Sequence, residues 1–199
     1  SYVLRIPGNG TEGMIVRENE DYNSRLAYQL KITPEIFYLD VQSGVKLVRY
    51  IEGAETLNNA TIQYMNHIEK VIMVLRTLHT SGVRFNNDFN VFKEIEIYEE
   101  LLGRVKGWMY EGYSELRPSI FALADRLNQL GVTLTPCHND LVAENFVKGL
   151  DGKIHLIDWE YSGMNDPLWD LAALFIESSF SEENLQRALL LYYDNNIPP

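Results

Sequence analysis

Three polar side chains stand at spacings that suit chemistry on a phosphate: Asp140, Asn145 five residues on, and Asp158 at the end of the run KIHLID. Moving a phosphoryl group from a nucleotide to a hydroxyl needs a hard cation on the phosphate oxygens and oxygen ligands for that cation. It also needs a carboxylate that orients the hydroxyl and takes its proton. Asn145 and Asp158 are read as the Mg²⁺ ligands and Asp140 as the base. His138, in the same stretch PCHNDLVAENF, is read as a scaffold residue that fixes the loop through hydrogen bonds. Taken singly, Asp140 and Asn145 are ordinary turn formers and Asp158 an ordinary cap; the combination points to phosphoryl transfer. Ile154, Leu156 and Asp158 are expected to point one way from a strand, which ends an apolar row on an acid that needs a cation beside it.

The elements that must position these groups follow from pattern. YVLRI (2–6) reads as a strand with Val3 and Arg5 on one face and Leu4 and Ile6 on the other, VRENEDYNSRLAYQLK (16–31) as a helix, and KLVRYI (46–51) as a strand. The order strand, helix, strand, strand breaks around Glu52-Gly53-Ala54. Beyond it, Ile62, Met65, Ile68, Ile72, Leu75 and Leu78 form the stripe of a helix ending near Gly82. Helices are expected over 92–102 and 114–130, the second stopped by Gly131. A β segment then runs through VTLTP and NFVKGLDGKIHLID, where Asp151-Gly152 between two alternating runs is a hairpin signal. DPLWDLAALFIESS and SEENLQRALLLYYDN return to helix, each with a cap at its start. The fold class is therefore α+β, with two lobes joined near residue 52. RIPGNG (5–10) reads as a turn, since it lacks the G-x-G-x-x-G pattern of a phosphate loop.

Composition narrows the partners. The chain has 199 residues, 46% of them hydrophobic, and a net charge of −11, which argues against a nucleic-acid backbone and leaves a cationic small molecule as the natural ligand. No apolar run approaches the roughly 18 residues of a membrane span, so no membrane insertion is expected. The single cysteine, Cys137, forms no internal disulfide and fits a reducing compartment, read as the cytoplasm. It is expected in the core.

CHNDLVAEN followed by LIDWEYSGMNDPLWDLA resembles the choline and ethanolamine kinases, most closely the bacterial choline kinases that make phosphocholine for surface polysaccharides. The wider superfamily includes the aminoglycoside phosphotransferases and has a protein-kinase-like two-lobed fold. YVLRIPGNGTE and IEGAETL are similar to the same family, so the likeness runs along nearly the whole chain. It implies an N-lobe over 1–52, partial because the family's glycine-rich loop lies upstream of the strand matching YVLRI. It also implies a mainly helical C-lobe over 53–199 that holds the catalytic hairpin, with further pocket aromatics expected beyond Pro199. The likeness makes ATP and Mg²⁺ the cofactors and choline the acceptor. Arg5 is implied to hold the nucleotide phosphates, Glu20 to be its ion-pair partner, and the backbone of Tyr50, Ile51 and Glu52 to meet the adenine. A quaternary ammonium is held by aromatic faces and carboxylates. The segment after Asp158 supplies both in Trp159, Glu160, Tyr161, Asp166, Trp169, Asp170 and Glu177. Of these, Glu160, Tyr161, Trp169 and Glu177 are taken as the substrate-binding set, and Asp170 as a brace for the catalytic loop.

Other readings stay open. Ethanolamine, an aminoglycoside or thiamine would use the same mechanism. A metal-dependent hydrolase built on His138, Asp140 and Asp158 would leave Asn145 and Arg5 without roles. A nucleotide-binding pseudokinase would leave the intact Asp140, Asn145 and Asp158 unexplained. The oligomeric state is not encoded in any pattern of the chain.

Overall fold

The computed structural model describes residues 1–8 and 14–198; the expected turn RIPGNG runs past Gly8 and its end lies outside the described residues. The first sheet has the order β1-β3-β2, with β1 Tyr2–Arg5, β2 Ile36–Leu39 and β3 Lys46–Arg49. β1 runs antiparallel to β3 with Arg5 opposite Lys46, and β2 joins β3 through an irregularity between Ile36 and Tyr38. The two faces expected of β1 leave no mark in its burial. Tyr2, Val3 and Leu4 are all exposed, and the strand stops at Arg5, leaving Ile6 exposed beyond it. A strand at a sheet edge with little packed on either side shows no alternation of burial.

Helix α1 (Arg17–Gln29) buries Arg17, Glu20, Asn23, Ser24 and Ala27. Their spacing of three and four is that of one helix face, yet the face is polar. A polar face of this kind is stable only with its hydrogen-bond partners in place, and these come from the site described below.

The short strand β4 (Glu55–Thr56) pairs with β6 (Phe146–Lys148), which pairs with β7 (Ile154–Leu156). The turn between β6 and β7 is the expected hairpin: Gly152 has φ of 76°, and the Asp151 carboxylate accepts the Lys153 N–H at 3.0 Å. A third pair, β5 (Thr135–Cys137) with β8 (Gly163–Asn165), brackets the segment that carries the hairpin.

The core lies against α2 (Met65–His79), whose Ile68, Val71, Ile72, Leu75 and Leu78 are essentially inaccessible. They meet Phe146 and Leu156 of the hairpin and Leu171 and Leu174 of α5 (Pro167–Glu177). Each such side chain contributes roughly 1.5–3 kcal/mol by leaving water. Ile62 is fully buried but precedes the helix, whose N-cap is Tyr64, so it joins the core from a turn. Helix α3 (Val91–Arg104) starts on Asn90, whose Oδ1 accepts from the N–H groups of Phe92 and Lys93, and it has no buried residue. Helix α4 (Tyr113–Leu130) lies beside it, with Phe92 and Phe121 in ring contact. α6 (Glu182–Tyr192) is capped by Ser181. Among the described residues no helix is long and apolar enough to cross a membrane.

Candidate functional site

β5 ends at Cys137, and the next two residues turn sharply. Asn139 has φ of 69°, in the left-handed region. That conformation is held from several sides. The Asp170 carboxylate, fully buried in the first turn of α5, accepts the N–H of His138 and of Asn139, each at 2.8 Å. Asn139 Nδ2 donates to the Tyr161 carbonyl at 3.0 Å, and Asn165 Nδ2 donates to Asn139 Oδ1 at 2.9 Å. Asp170 also contacts His79 Nε2 at 3.0 Å, and His79 Nδ1 meets the Tyr192 hydroxyl at 2.8 Å. Asp170 thus ties α5, α2 and the loop together.

His138 is fully buried and its Nε2 lies 2.8 Å from the carbonyl oxygen of Ile157. A carbonyl only accepts, so Nε2 carries the proton. The ring packs edge-on against Trp159 at 5.0 Å between centroids. From the other side, Ile157 N–H donates to the Asn145 carbonyl at 2.9 Å. Ile157 is therefore gripped at both its N–H and its C=O, and this peptide brings Asp158 beside the loop that carries Asp140 and Asn145.

Asn145 closes a short 3₁₀ turn (Ala143–Asn145), and its Nδ2 donates to the Asp140 carbonyl at 2.8 Å. Its amide nitrogen is committed, which leaves Oδ1 as the atom able to take a cation. The expected alternation through Asp158 is corrected: β7 stops at Leu156 and Asp158 has φ of 66°. The acid lies past the strand in a left-handed turn, partly exposed, so the row Ile154, Leu156, Asp158 does not continue as one face. The cation expected beside it is present, because Arg5 Nη1 contacts Asp158 Oδ1 at 2.5 Å.

Arg5 reaches further. Its Nη2 lies 2.6 Å from Glu20, which also accepts from Arg17 at 2.7 Å and from Lys46 at 3.1 Å. Glu20 is fully buried, and burial by itself would raise its carboxyl. The charges of Lys46 and Arg5, with the hydrogen bonds from Arg17 and Lys46, outweigh that and hold it below its ordinary value. Arg17 and Glu20 of the polar face of α1 thereby find partners, while Asn23 Nδ2 donates to Asn87 Oδ1 at 3.0 Å and to the Ser162 carbonyl at 3.1 Å. Arg17 and Lys46 were not singled out in the sequence. The three-and-four spacing of polar residues in α1 was the available signal for Arg17, and the register position opposite Arg5 marks Lys46 only once the sheet is known.

Glu160 is placed beside two cations. Its carboxylate contacts Arg17 at 3.2 Å and Arg5 at 3.6 Å. Residues 158–162 form a turn, closed by Ser162 N–H on the Trp159 carbonyl at 3.1 Å, so neighbours do not share a direction. Trp159 is core, its indole N–H bonded to Thr33 and to the Leu156 carbonyl. Asp166 caps α5 by accepting Leu168 N–H at 2.8 Å. Glu177 ends α5 with an exposed side chain, about 10 Å along the axis from Asp170 at 1.5 Å per residue, and its carbonyl is bonded by Asn59.

Two hollows flank Asp158 and Asp140. One, of about 360 Å³, is lined by Val3, Leu4, Ile36, Tyr50 and Ile51, with Arg5, Lys46 and Asp158 also on its wall. Glu52 lines a neighbouring space with Tyr50 and Ile51, and its carbonyl accepts Leu150 N–H at 2.8 Å. The other hollow, of about 210 Å³, has Asn139, Asp140 and Tyr161 on one side and Phe89, Glu94 and Tyr98 on the other. The Tyr98 and Tyr161 hydroxyls meet at 3.1 Å, and burial followed by that contact raises the Tyr161 phenol above its usual range. Trp169 sits at this edge, with Nε1 on the Asn139 carbonyl at 3.3 Å and its ring 6.0 Å from Phe89.

The donor set of Asn145 and Asp158 suits a hard cation such as Mg²⁺ by its oxygen chemistry. A tighter cluster, His79, Cys137 and Asp170, is buried, and its His and Asp are committed to the bonds above. It serves packing.

Comparison with known proteins places this geometry. The profile of the choline/ethanolamine kinase family matches residues 1–193. Protein LicA of Haemophilus influenzae is 39% identical over 184 residues, covering 92% of this chain and 68% of that protein. The crystal structure of choline kinase LicA from Streptococcus pneumoniae superimposes with a TM-score of 0.89 at 39% identity, over 100% of this chain and 69% of that one. A LicA structure in complex with AMP gives 0.88 at 40% identity, over 96% of this chain and 65% of that one. The α+β arrangement of helices around small sheets is thus a kinase fold, and the chain belongs to the choline/ethanolamine kinase family.

Proposed function

We propose that the protein carrying this chain transfers the terminal phosphoryl group of ATP to the hydroxyl of choline. The observation that carries the reading is the Ile157 peptide, which ties the Asp158 turn to the loop bearing Asp140 and Asn145 through two backbone-anchored hydrogen bonds. Asp140 orients the acceptor hydroxyl and takes its proton. Asn145 and Asp158 hold Mg²⁺, which when bound neutralises phosphate charge. Arg5, fixed by Glu20, faces the phosphates, and the backbone of Tyr50, Ile51 and Glu52 meets the adenine where the hollow beside Asp158 adjoins the space lined by Glu52. Tyr161 and Trp169 offer faces to the acceptor, His138 and Asp170 hold the loop, and residues 1–52 and 53–199 work as the nucleotide and acceptor sides of one cleft. The AMP-bound relative supports the nucleotide half of this reading. ATP use and one buried thiol suit the cytoplasm.

The test is phosphotransfer with ATP, Mg²⁺ and either choline or ethanolamine. Phosphocholine is expected as the faster product, and its absence beside brisk turnover of another alcohol refutes the acceptor. Asp140→Asn is expected to lower kcat by about 10³-fold and to leave the nucleotide Kd within about twofold. A fully active variant refutes the base.

A further inference from the structure

The hollow beside Asp140 has a second wall that the acceptor reading of the 159–177 segment does not include. Val91, Glu94, Ile95 and Tyr98 recur on one face of α3, and that face lines the hollow opposite Asn139, Asp140 and Tyr161. The helix is fixed against the catalytic segment at its start, where Phe89 N–H donates to the Met164 carbonyl at 2.9 Å and Asn90 caps the first turn. Tyr98 closes the far end on Tyr161 at 3.1 Å.

Within this wall Glu94 is the anomaly. Its side chain is half-buried among Phe89, Ile95 and Tyr98, and none of the described ion pairs includes it. Burial alone pushes its carboxyl above the ordinary value, with no cation acting against it. The nearby cations do not answer it: Lys93 is exposed, and Arg117 is engaged by Glu99. A carboxylate drawn partly out of water with no counter-charge, framed by aromatic faces, is a place where a cation from outside replaces lost hydration. At about 210 Å³ the hollow is below the size of drug-like pockets and suits a small head group.

We propose that Glu94 is the counter-charge for the cationic head of the acceptor, and that the inner face of α3 is a specificity wall of the site. The proposal rests on the reading that this hollow receives the acceptor. Glu94 touches the head group and not the reacting oxygen, so its effect falls on acceptor affinity and on the choice between charged and neutral acceptors.

The experiment compares choline with 3,3-dimethylbutan-1-ol, in which a tert-butyl group replaces trimethylammonium at nearly the same size without charge. In Glu94→Gln, kcat/KM for choline is expected to fall about 30-fold, mostly through KM, as suits one partly screened charge pair. The neutral alcohol and the KM for ATP stay within about twofold, and Glu94→Asp recovers part of the choline preference. If wild type favours choline and Glu94→Gln keeps the same choline-to-neutral ratio, the inference falls and Glu94 is only an acid in the first turn of a helix. If wild type phosphorylates neither alcohol, the choline reading falls. The same ratio, read as calorimetric Kd values for the two alcohols, then judges Glu94 separately: an unchanged ratio overturns it and a collapsed one supports it.

Discussion

Replacing Asp170 removes the acceptor that holds the loop of Asn139 and Asp140. In the native protein its carboxylate takes two backbone N–H groups at 2.8 Å and His79 at 3.0 Å, all in a fully buried setting. Hydrogen bonds to a charged group contribute about 1.5–3 kcal/mol each, and a buried donor left without a partner costs about 1–3 kcal/mol. Asp170→Ala orphans both N–H groups and is expected to destabilise by about 3–5 kcal/mol, a large part of a typical stability. Asp170→Asn keeps one acceptor oxygen and turns an amide N–H toward the other donor, so about 2–3 kcal/mol is expected. The functional loss should exceed what stability explains. Asn139 leaves its left-handed conformation when Asp170 no longer holds its N–H, and Asp140 follows. A displacement of about 1 Å lowers kcat by about 100-fold. Urea unfolding followed by tryptophan fluorescence gives the first quantity, and steady-state kcat well below the melting temperature gives the second. An Asn variant within about 0.5 kcal/mol of wild type with unchanged kcat would refute the account of Asp170 as a positioning residue.

Two further outcomes follow from burial and charge. Glu20 has a carboxyl held below its ordinary 4.5, so its contribution is fully present above that value and is lost as pH falls through the lower native value. Urea unfolding from pH 7 to 3 should therefore show a shallower acid loss in Glu20→Gln than in wild type, on top of a pH-independent deficit of about 3 kcal/mol from three cations losing their partner. Parallel pH curves would contradict this. Cys137 is fully buried, and burial pushes its thiol well above the ordinary range, so an aromatic disulfide reagent should label it only as fast as the native protein opens. Stoichiometric labelling within seconds under native conditions would count against that environment.

Much of the fold is readable from local chemistry. Asp151-Gly152 marks a turn because glycine takes φ of 76° without strain, and the stripe of α2 marks a helix because its apolar face is its core face. Asn90, Asp166 and Ser181 are caps in the positions where such residues satisfy free N–H groups. The parts that escaped are governed by partners distant in the chain. Arg5 and Asp158 are 153 positions apart, so the guanidinium that accompanies that acid is invisible to any window. The buried face of α1 is polar, and apolar periodicity passes over it. Glu160 and Tyr161 are neighbours in sequence, yet Glu160 pairs with Arg17 and Arg5 while Tyr161 lines the smaller hollow, because a turn has no fixed alternation. Glu94 and Tyr98 were overlooked for a related reason: their helix face is defined by what it faces, and the helix buries nothing that would have marked it.

That last property makes the molecule mechanically uneven. α2 is sealed into the core by eight buried residues, while α3, with none, is tethered by its capped start, by aromatic contacts and by surface bonds. Segments held by few apolar contacts open on their own, at a fraction of the free energy that unfolds the whole. One side of the smaller hollow is thus anchored through Asp170 into the centre of the protein, and the other is a helix face with no buried residue. Local opening of α3 would widen the hollow for a small molecule while the loop bearing Asp140 stays in register.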